Sequence, residues 1–161
     1  MNLFAIDKDP IQAAQWNVDR HVIKMPTEVA QMLCTAFWNQ NIAAPYKQTH
    51  RNHPCSVFVR TSSSNFLWAV QHGESLCDEY TVRYGKTHAS GAIIEWCKQN
   101  MNKLKFNSEE QTDFAIAIKE DAICRTKDSF ATASTVDKYR MFYRYDKAHL
   151  HAWKANKPDW I

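Results

Sequence analysis

Apolar residues recur at helical spacing between Ile11 and Trp38. Val18, Val22, Met25, Val29, Leu33 and Ala36 fall on one stripe of a 3.6-residue helix, and His21, Lys24, Glu28, Gln31 and Thr35 fall on the stripe beside it. The pattern predicts one long helix, entered at Asp9-Pro10 with Asp as cap and Pro at the first helical position. Pro26 interrupts it by removing a backbone donor and freeing the carbonyl near Val22, which predicts a kink or a restart. A polar stripe of this kind is ordinarily a solvated face, on which Lys24 and Glu28 form an i,i+4 pair worth about 0.2–0.5 kcal/mol. His21 changes that picture, because it places a group titrating near neutrality within a turn of an amine and two turns of a carboxylate.

A second periodic stretch begins after the capping cluster Ser62-Ser63-Ser64-Asn65. Phe66, Val70, Gly73, Cys77, Tyr80 and Tyr84 alternate spacings of four and three, and Gly85 fits the left-handed position that ends a helix. Thr87 or Ser90 can cap a further helix through Ile93, Ile94, Trp96 and Cys97 to about Met101. The last periodic stretch, from Val136 to about Lys154, is capped by Ser134 or Thr135. Leu3-Phe4-Ala5-Ile6 reads as a short strand or an extended segment on the core, and Asn39 to Pro54 reads as a loop by its Asn and Pro content. From Asn102 to Ala133 periodicity is poor: Ser108 with Gln111 could form a capping box, and Phe114 to Ile118 fits a strand or a buried helical turn. The expected fold is mainly α, a single-domain helical bundle over residues 1–161 with long loops and room for one short N-terminal strand.

Composition agrees with this and narrows the chemistry. The chain is long enough for one sizeable core, and its 3 glycines disfavour Gly-rich nucleotide folds and hairpin-rich β architectures. Five widely spaced cysteines without a CxxC suggest reduced, mostly buried thiols, not a disulfide framework or a zinc ribbon. No signal-peptide core and no apolar run of about 18 residues is present, so the expected compartment is the cytoplasm, of the host cell if the chain is phage-encoded, with no membrane association. Net charge is only +3, but Arg20, Lys24, Lys47, Arg51 and Arg60 face Glu28 alone in their stretch, and six Lys or Arg face three Asp between Asp137 and Trp160. Such separation permits a basic face for an anionic partner.

Two stretches carry further candidate chemistry. Thr49-His50-Arg51-Asn52-His53-Pro54-Cys55 concentrates two imidazoles, a guanidinium and an amide. His50, His53 and Cys55 are ligand types, but no second ligand pair lies at usable spacing, so neither metal nor cofactor is expected. His53 then reads either as the cap of a neighbouring helix or as part of a substrate-facing loop. The C-terminal stretch interleaves cations with flat rings, Tyr139, Arg140, Tyr143, Lys147, Trp153 and Lys154 among them, as nucleic-acid surfaces do. The alternative is a helix with its aromatics in the core and its cations solvated. Arg83, Lys86 and His88 cluster at the corner after Tyr84.

The blocks His21-Val-Ile-Lys24-Met, Asn52-His53-Pro54-Cys55, Asn65-Phe-Leu-Trp68, Arg83-Tyr-Gly-Lys86-Thr-His88-Ala-Ser90, and Tyr139-Arg140 through Trp153-Lys154 to Pro158-Asp-Trp160 resemble those of a family of small phage and bacterial proteins, mostly without assigned activity. The resemblance covers most of the chain. The layout is also similar to the pyrimidine-dimer DNA glycosylases of the endonuclease V type: a short N-terminal apolar run, a long first helix with basic and acidic groups, and a C-terminal basic-aromatic segment with Pro158-Asp159-Trp160. That resemblance implies glycosidic-bond cleavage by an N-terminal amine assisted by a glutamate. Met1-Asn2 stands where that family has the small residue that exposes the amine, so its nucleophile does not carry over.

The expectation is therefore an enzyme acting on a nucleic-acid base or its glycosidic bond, with His21, Lys24 and Glu28 as the reactive group. Glu28 would stabilise an oxocarbenium-like sugar, Lys24 would act as a nucleophile if desolvated and otherwise hold a phosphate, and His21 would move the proton. Arg51, Asn52, His53, Arg83, Lys86, His88, Tyr139, Arg140, Tyr143, Lys147, Trp153 and Lys154 would contact nucleic acid, DNA before RNA, or a nucleotide. Two alternatives remain open: a transferase modifying a base or nucleotide, and a non-catalytic factor that binds nucleic acid or a host protein. The last predicts a fully exposed polar stripe, whereas an enzyme predicts that His21, Lys24 and Glu28 line a concave site with His53 or His88 opposite.

Overall fold

The structure, a computed structural model, describes residues 1–161 and is built from helices. These are α1 (Pro10–Gln15), α2 (Asp19–Trp38), α3 (Pro54–Thr61), α4 (Ser63–Tyr84), α5 (Ser90–Gln99) and α6 (Thr135–Tyr145), with short 3-10 turns between and after them. The two long helices, α2 and α4, pack against each other; α5 and α3 each lie against both, and α1 lies against α4. At Gly73 the three helices α2, α4 and α5 approach so closely that a Cβ would sit 2.8 Å from Val29 Cγ1 and 2.8 Å from Ile94 Cδ1. One contiguous apolar core runs from Leu3 to Tyr143, and all five cysteines are free, Cys34 Sγ lying 3.7 Å from Cys97 Sγ. No helix is long and apolar enough to cross a membrane.

Capping chemistry places most of the helix ends. Asp9 accepts from the Ile11 N–H with Pro10 following, Ser62 accepts from the Asn65 N–H, and Ser134 from the Asp137 N–H. Gly85 adopts φ +65° and donates its N–H to the Thr81 carbonyl. Neither Thr87 nor Ser90 caps α5; His88 Nδ1 accepts the Ser90 N–H instead.

Three sequence expectations are corrected. The pattern from Ile11 to Trp38 is not one helix, because the chain breaks at Trp16-Asn17-Val18. Arg83 stabilises that break by donating to the carbonyls of Gln15 and Asn17, two groups that a continuous helix would have bonded internally. Of the kink and the restart expected at Pro26, the restart does not occur: Pro26 lies inside α2, which runs on to Trp38. The Leu3 to Ile6 run forms no strand: Phe4 has φ +45°, its N–H bonds the Asn2 side chain, and the Ile6 N–H turns back to the Phe4 carbonyl. The segment is buried as a plug and has no strand to pair with.

The C-terminal helical stretch also stops early, at Tyr145, and the rest folds back over α1 and α4. Trp153 donates its indole N–H to the Trp16 carbonyl, and the Asn156 amide bonds the Glu79 carboxylate. Between α5 and α6 the poorly periodic segment is neither strand nor helix at Phe114 to Ile118. Side chains hold it: the buried Asn65 amide bonds Thr112 in both directions, and the Tyr139 hydroxyl donates to the Ala115 carbonyl and accepts from the Ala117 N–H. That stapled segment forms one wall of the cleft described next.

Candidate functional site

A cleft of about 420 Å³ is bounded by the N-terminal plug, α2, the residue before α3, the stapled segment and the end of α6. His21, Lys24, Glu28 and His53 line it together with Lys119 and Lys147. His21 and Glu28 are buried, at 6% and 8% exposure, so this part of the polar stripe is not a solvated face. His88 does not stand opposite; it lies across α2, donating from Nε2 to the Ile23 carbonyl.

Glu28 is the sole carboxylate among the lining residues, which include three lysines. Its Oε2 accepts the Asn2 N–H at 2.9 Å and lies 3.7 Å from the α-amino nitrogen of Met1, while Oε1 pairs with Lys24 Nζ at 2.9 Å. Asn2 is fixed in turn, donating its amide to the Ala117 carbonyl. The carboxylate is thereby held at one position on the cleft wall. Lys24 is 67% exposed, which sets it in water and not in the desolvated pocket a lysine nucleophile requires.

The two imidazoles of the cleft present opposite faces. Asn17 Nδ2 donates to the Ala13 carbonyl, so Asn17 Oδ1 faces Tyr143 and accepts the Tyr143 hydroxyl proton at 2.7 Å. The Tyr143 oxygen must then accept from His21 Nδ1, 2.5 Å away. Neutral His21 therefore carries its proton on Nδ1 and keeps a free lone pair on Nε2, which makes no hydrogen bond within the protein. Burial, then Lys147 and Lys24, push this imidazole down to about 3. Phe4 stacks on the ring at 4.1 Å between centroids, and that contact accompanies the left-handed backbone at Phe4. His53, the N-cap of α3, accepts the Cys55 N–H at Nδ1, so its neutral form carries the proton on Nε2. Burial, the α-amino group and His50 all push His53 down. His53 thus caps α3 and lines the cleft at once. One acceptor and one donor imidazole thus flank a fixed carboxylate.

Comparison with protein-family models, with curated proteins and with solved structures gives no match.

Of the remaining sequence candidates, Lys147 reaches the cleft, its ammonium 4.9 Å from the Phe142 ring centroid; burial and then Lys119 push it down. Tyr143 is fully buried and acts on the site through His21, and Tyr139 is buried in the stapling role above. Arg83 is sealed inside an ion-pair network with Asp19 and Glu79. Arg140 donates to the Ile6 carbonyl and Asp7 and lies against both Trp16 and Trp160, whose rings meet edge-to-face. Lys86 and Lys154 are exposed away from the cleft, and Trp153 is half-buried against Trp16. The C-terminal cations and rings therefore share no single face, because the helix carrying them ends at Tyr145. Arg51 and Asn52 are exposed on the loop before His53 and do not line the cleft. Sequence reasoning missed Asn2, Asn17, Phe4 and Lys119; the first three act through contacts distant in sequence, and Lys119 lies in the poorly periodic segment. No three His, Cys, Asp or Glu side chains converge as metal ligands.

The buried imidazoles make stability depend on pH. His72 is sealed against Trp68 with Nε2 unpartnered, and burial pushes it down to about 4, as burial does for His21 at about 3, both from the ordinary 6.5. The unfolded chain then takes up protons that the native state refuses, so stability is full above pH about 6.5 and falls as pH drops toward 4. The expected loss is roughly 2 kcal/mol per ring by pH 5. Urea midpoints at pH 7 and pH 5 measure it, and equal midpoints would contradict the burial of both rings.

Proposed function

We propose that the protein is a nucleic-acid base-acting enzyme that cleaves a glycosidic bond at a modified or damaged base, in the manner of a DNA glycosylase. The observation that carries this reading is the single fixed carboxylate of Glu28 in a cleft whose other charged side chains are lysines. Glycosidic cleavage develops positive charge on the sugar between negatively charged phosphates, so the site needs one anion at the sugar and cations around it. Glu28 supplies the anion, and Lys24, Lys119 and Lys147 hold the flanking phosphates. His21 Nε2 accepts a hydrogen bond from the attacking water, and His53 Nε2–H donates to the departing base. His21 stays neutral at working pH, so it orients water while Glu28 takes up the water proton. The arrangement of donor and acceptor around a concave site is what favours this over a purely binding role.

Incubating the protein with oligonucleotides carrying modified and damaged bases, followed by mass spectrometry of the small-molecule fraction, tests the reading. A free base released from at least one substrate is expected. If every oligonucleotide keeps all its bases at enzyme excess, the glycosidic assignment fails.

A further inference from the structure

A second depression, about 530 Å³, opens at the C-terminal end of α3, and its lining includes Arg60, Lys105, Asn39, Gln40 and Asn107. Arg51 stands at its rim, donating from Nε to Asn39 Oδ1 at 2.8 Å, while Arg60 donates to the Arg51 carbonyl at 2.6 Å. The Gln40 amide clamps the Lys105 backbone in both directions, donating to its carbonyl and accepting its N–H. Internal hydrogen bonds thus fix the chain at all three cations and leave the Lys105 ammonium free. None of the three pairs with a carboxylate, and Glu109 and Glu110, close in sequence, form no ion pair with them. Burial and the adjacent Arg51 guanidinium both push Arg60 down. Like charges held together without counter-charge favour an anion between them.

Val57 is the one hydrophobic residue in the lining and no aromatic is present, so the depression offers a base nothing to stack on. Its donors are guanidinium, ammonium and amide groups, which suit phosphate oxygens. We propose that this depression binds a backbone phosphate of a polynucleotide strand whose reacting nucleotide occupies the cleft, so that the substrate is a strand and not a free nucleotide. The proposal rests on the cleft being the reacting site. Its geometric support is α3 itself: His53 faces the cleft at one end, and Arg60 lies seven residues on, roughly 10 Å along the axis. One strand of a duplex covers that distance in about three nucleotides. A nucleotide seated in the cleft has its own phosphate beside Lys24, Lys119 and Lys147, so a phosphate in this depression belongs to a neighbouring nucleotide of the same strand.

Lys105→Gln and Arg51→Gln, both at exposed positions outside the cleft, provide the test. Binding of a fluorescent 12-nucleotide single strand and of thymidine monophosphate is measured across a salt series, with circular dichroism confirming the fold. Each substitution is expected to flatten the log–log salt dependence of 12-mer binding by about 0.7, the value for one lost contact to a single strand, and to leave monophosphate binding unchanged. An unchanged slope in both variants, an equal loss for the monophosphate, or no 12-mer binding by the unsubstituted protein would overturn the proposal. Because the measurement is of binding, it stays readable if no base is ever released, and base release can persist if this subsite fails.

Discussion

Replacing Arg83 by Ala is expected to cost about 3–5 kcal/mol of stability, a large part of what a domain of this size has. The guanidinium makes four internal bonds: Nε–H to Glu79, one terminal nitrogen to the Asn17 carbonyl and to Asp19, and the other to the Gln15 carbonyl. Truncation leaves Glu79 at 3% exposure with only the Asn156 amide as partner, and it orphans two carbonyls at the break between α1 and α2. The loss is therefore a buried uncompensated charge plus a lost helix termination, not a missing surface pair. A melting temperature lower by on the order of 10 °C should accompany it. Arg83→Lys keeps the charge but cannot reach four acceptors in one plane, so it should fall between the two. Thermal and urea unfolding of the three proteins measure this series. A drop below about 1 kcal/mol in Arg83→Ala, with nucleic-acid binding weakened, would return Arg83 to the surface role its sequence context suggested.

Arg83 also shows why some of the structure was legible in the sequence and some was not. Helix caps and stops depend on residues within a turn of one another, so Asp9-Pro10, Ser62, Gly85 and Ser134 could be assigned from local chemistry. The amphipathic faces of α2 and α4 were legible for the same reason. The break after Gln15 depends on a guanidinium 68 residues away, and no periodicity announces it. Likewise the interleaved cations and rings after Ser134 share one surface only on a helix that continues to Lys154. Its end at Tyr145, where the Asp146 carboxylate accepts the N–H groups of Ile123 and Cys124, is a tertiary effect.

The cleft divides in the same way. His21, Lys24 and Glu28 were visible as a group because helical spacing alone puts them on one stripe. That His21 and Glu28 would be buried was not visible, because the covering layer is formed by Met1, Asn2 and Phe4, the last within the Leu3 to Ile6 run that the pattern allowed to be a strand or an extended segment. Lys119 sits where periodicity is weakest, and the Asn17–Tyr143–His21 relay joins residues up to 126 positions apart.

Burial revises what substituting Glu28 should do. On a solvated face Glu28→Gln would be nearly neutral, but here the carboxylate accepts a buried N–H and is the only negative group beside three lysines. Gln still accepts the Asn2 N–H through its amide oxygen but gives up the ion pairs with the exposed Lys24 ammonium and the Met1 amine, so the expected cost is about 1–2 kcal/mol, and the variant should fold. Its kcat for base release should nevertheless fall by roughly 10²–10⁴, the range for a missing general base or transition-state charge. Substrate binding should move the other way: removing an anion from a cleft that holds phosphates leaves Kd unchanged or lower. That split between turnover and affinity separates a catalytic carboxylate from one that merely shapes the site, whose loss would weaken both together. Lys24→Arg supplies the complement. As an exposed phosphate contact Lys24 should tolerate the swap in part, since guanidinium keeps the charge, whereas a nucleophilic amine would tolerate none of it. Single-turnover kinetics with either variant in excess over substrate reads both quantities, and base release at the full rate by Glu28→Gln would end the assignment of this carboxylate to the chemistry.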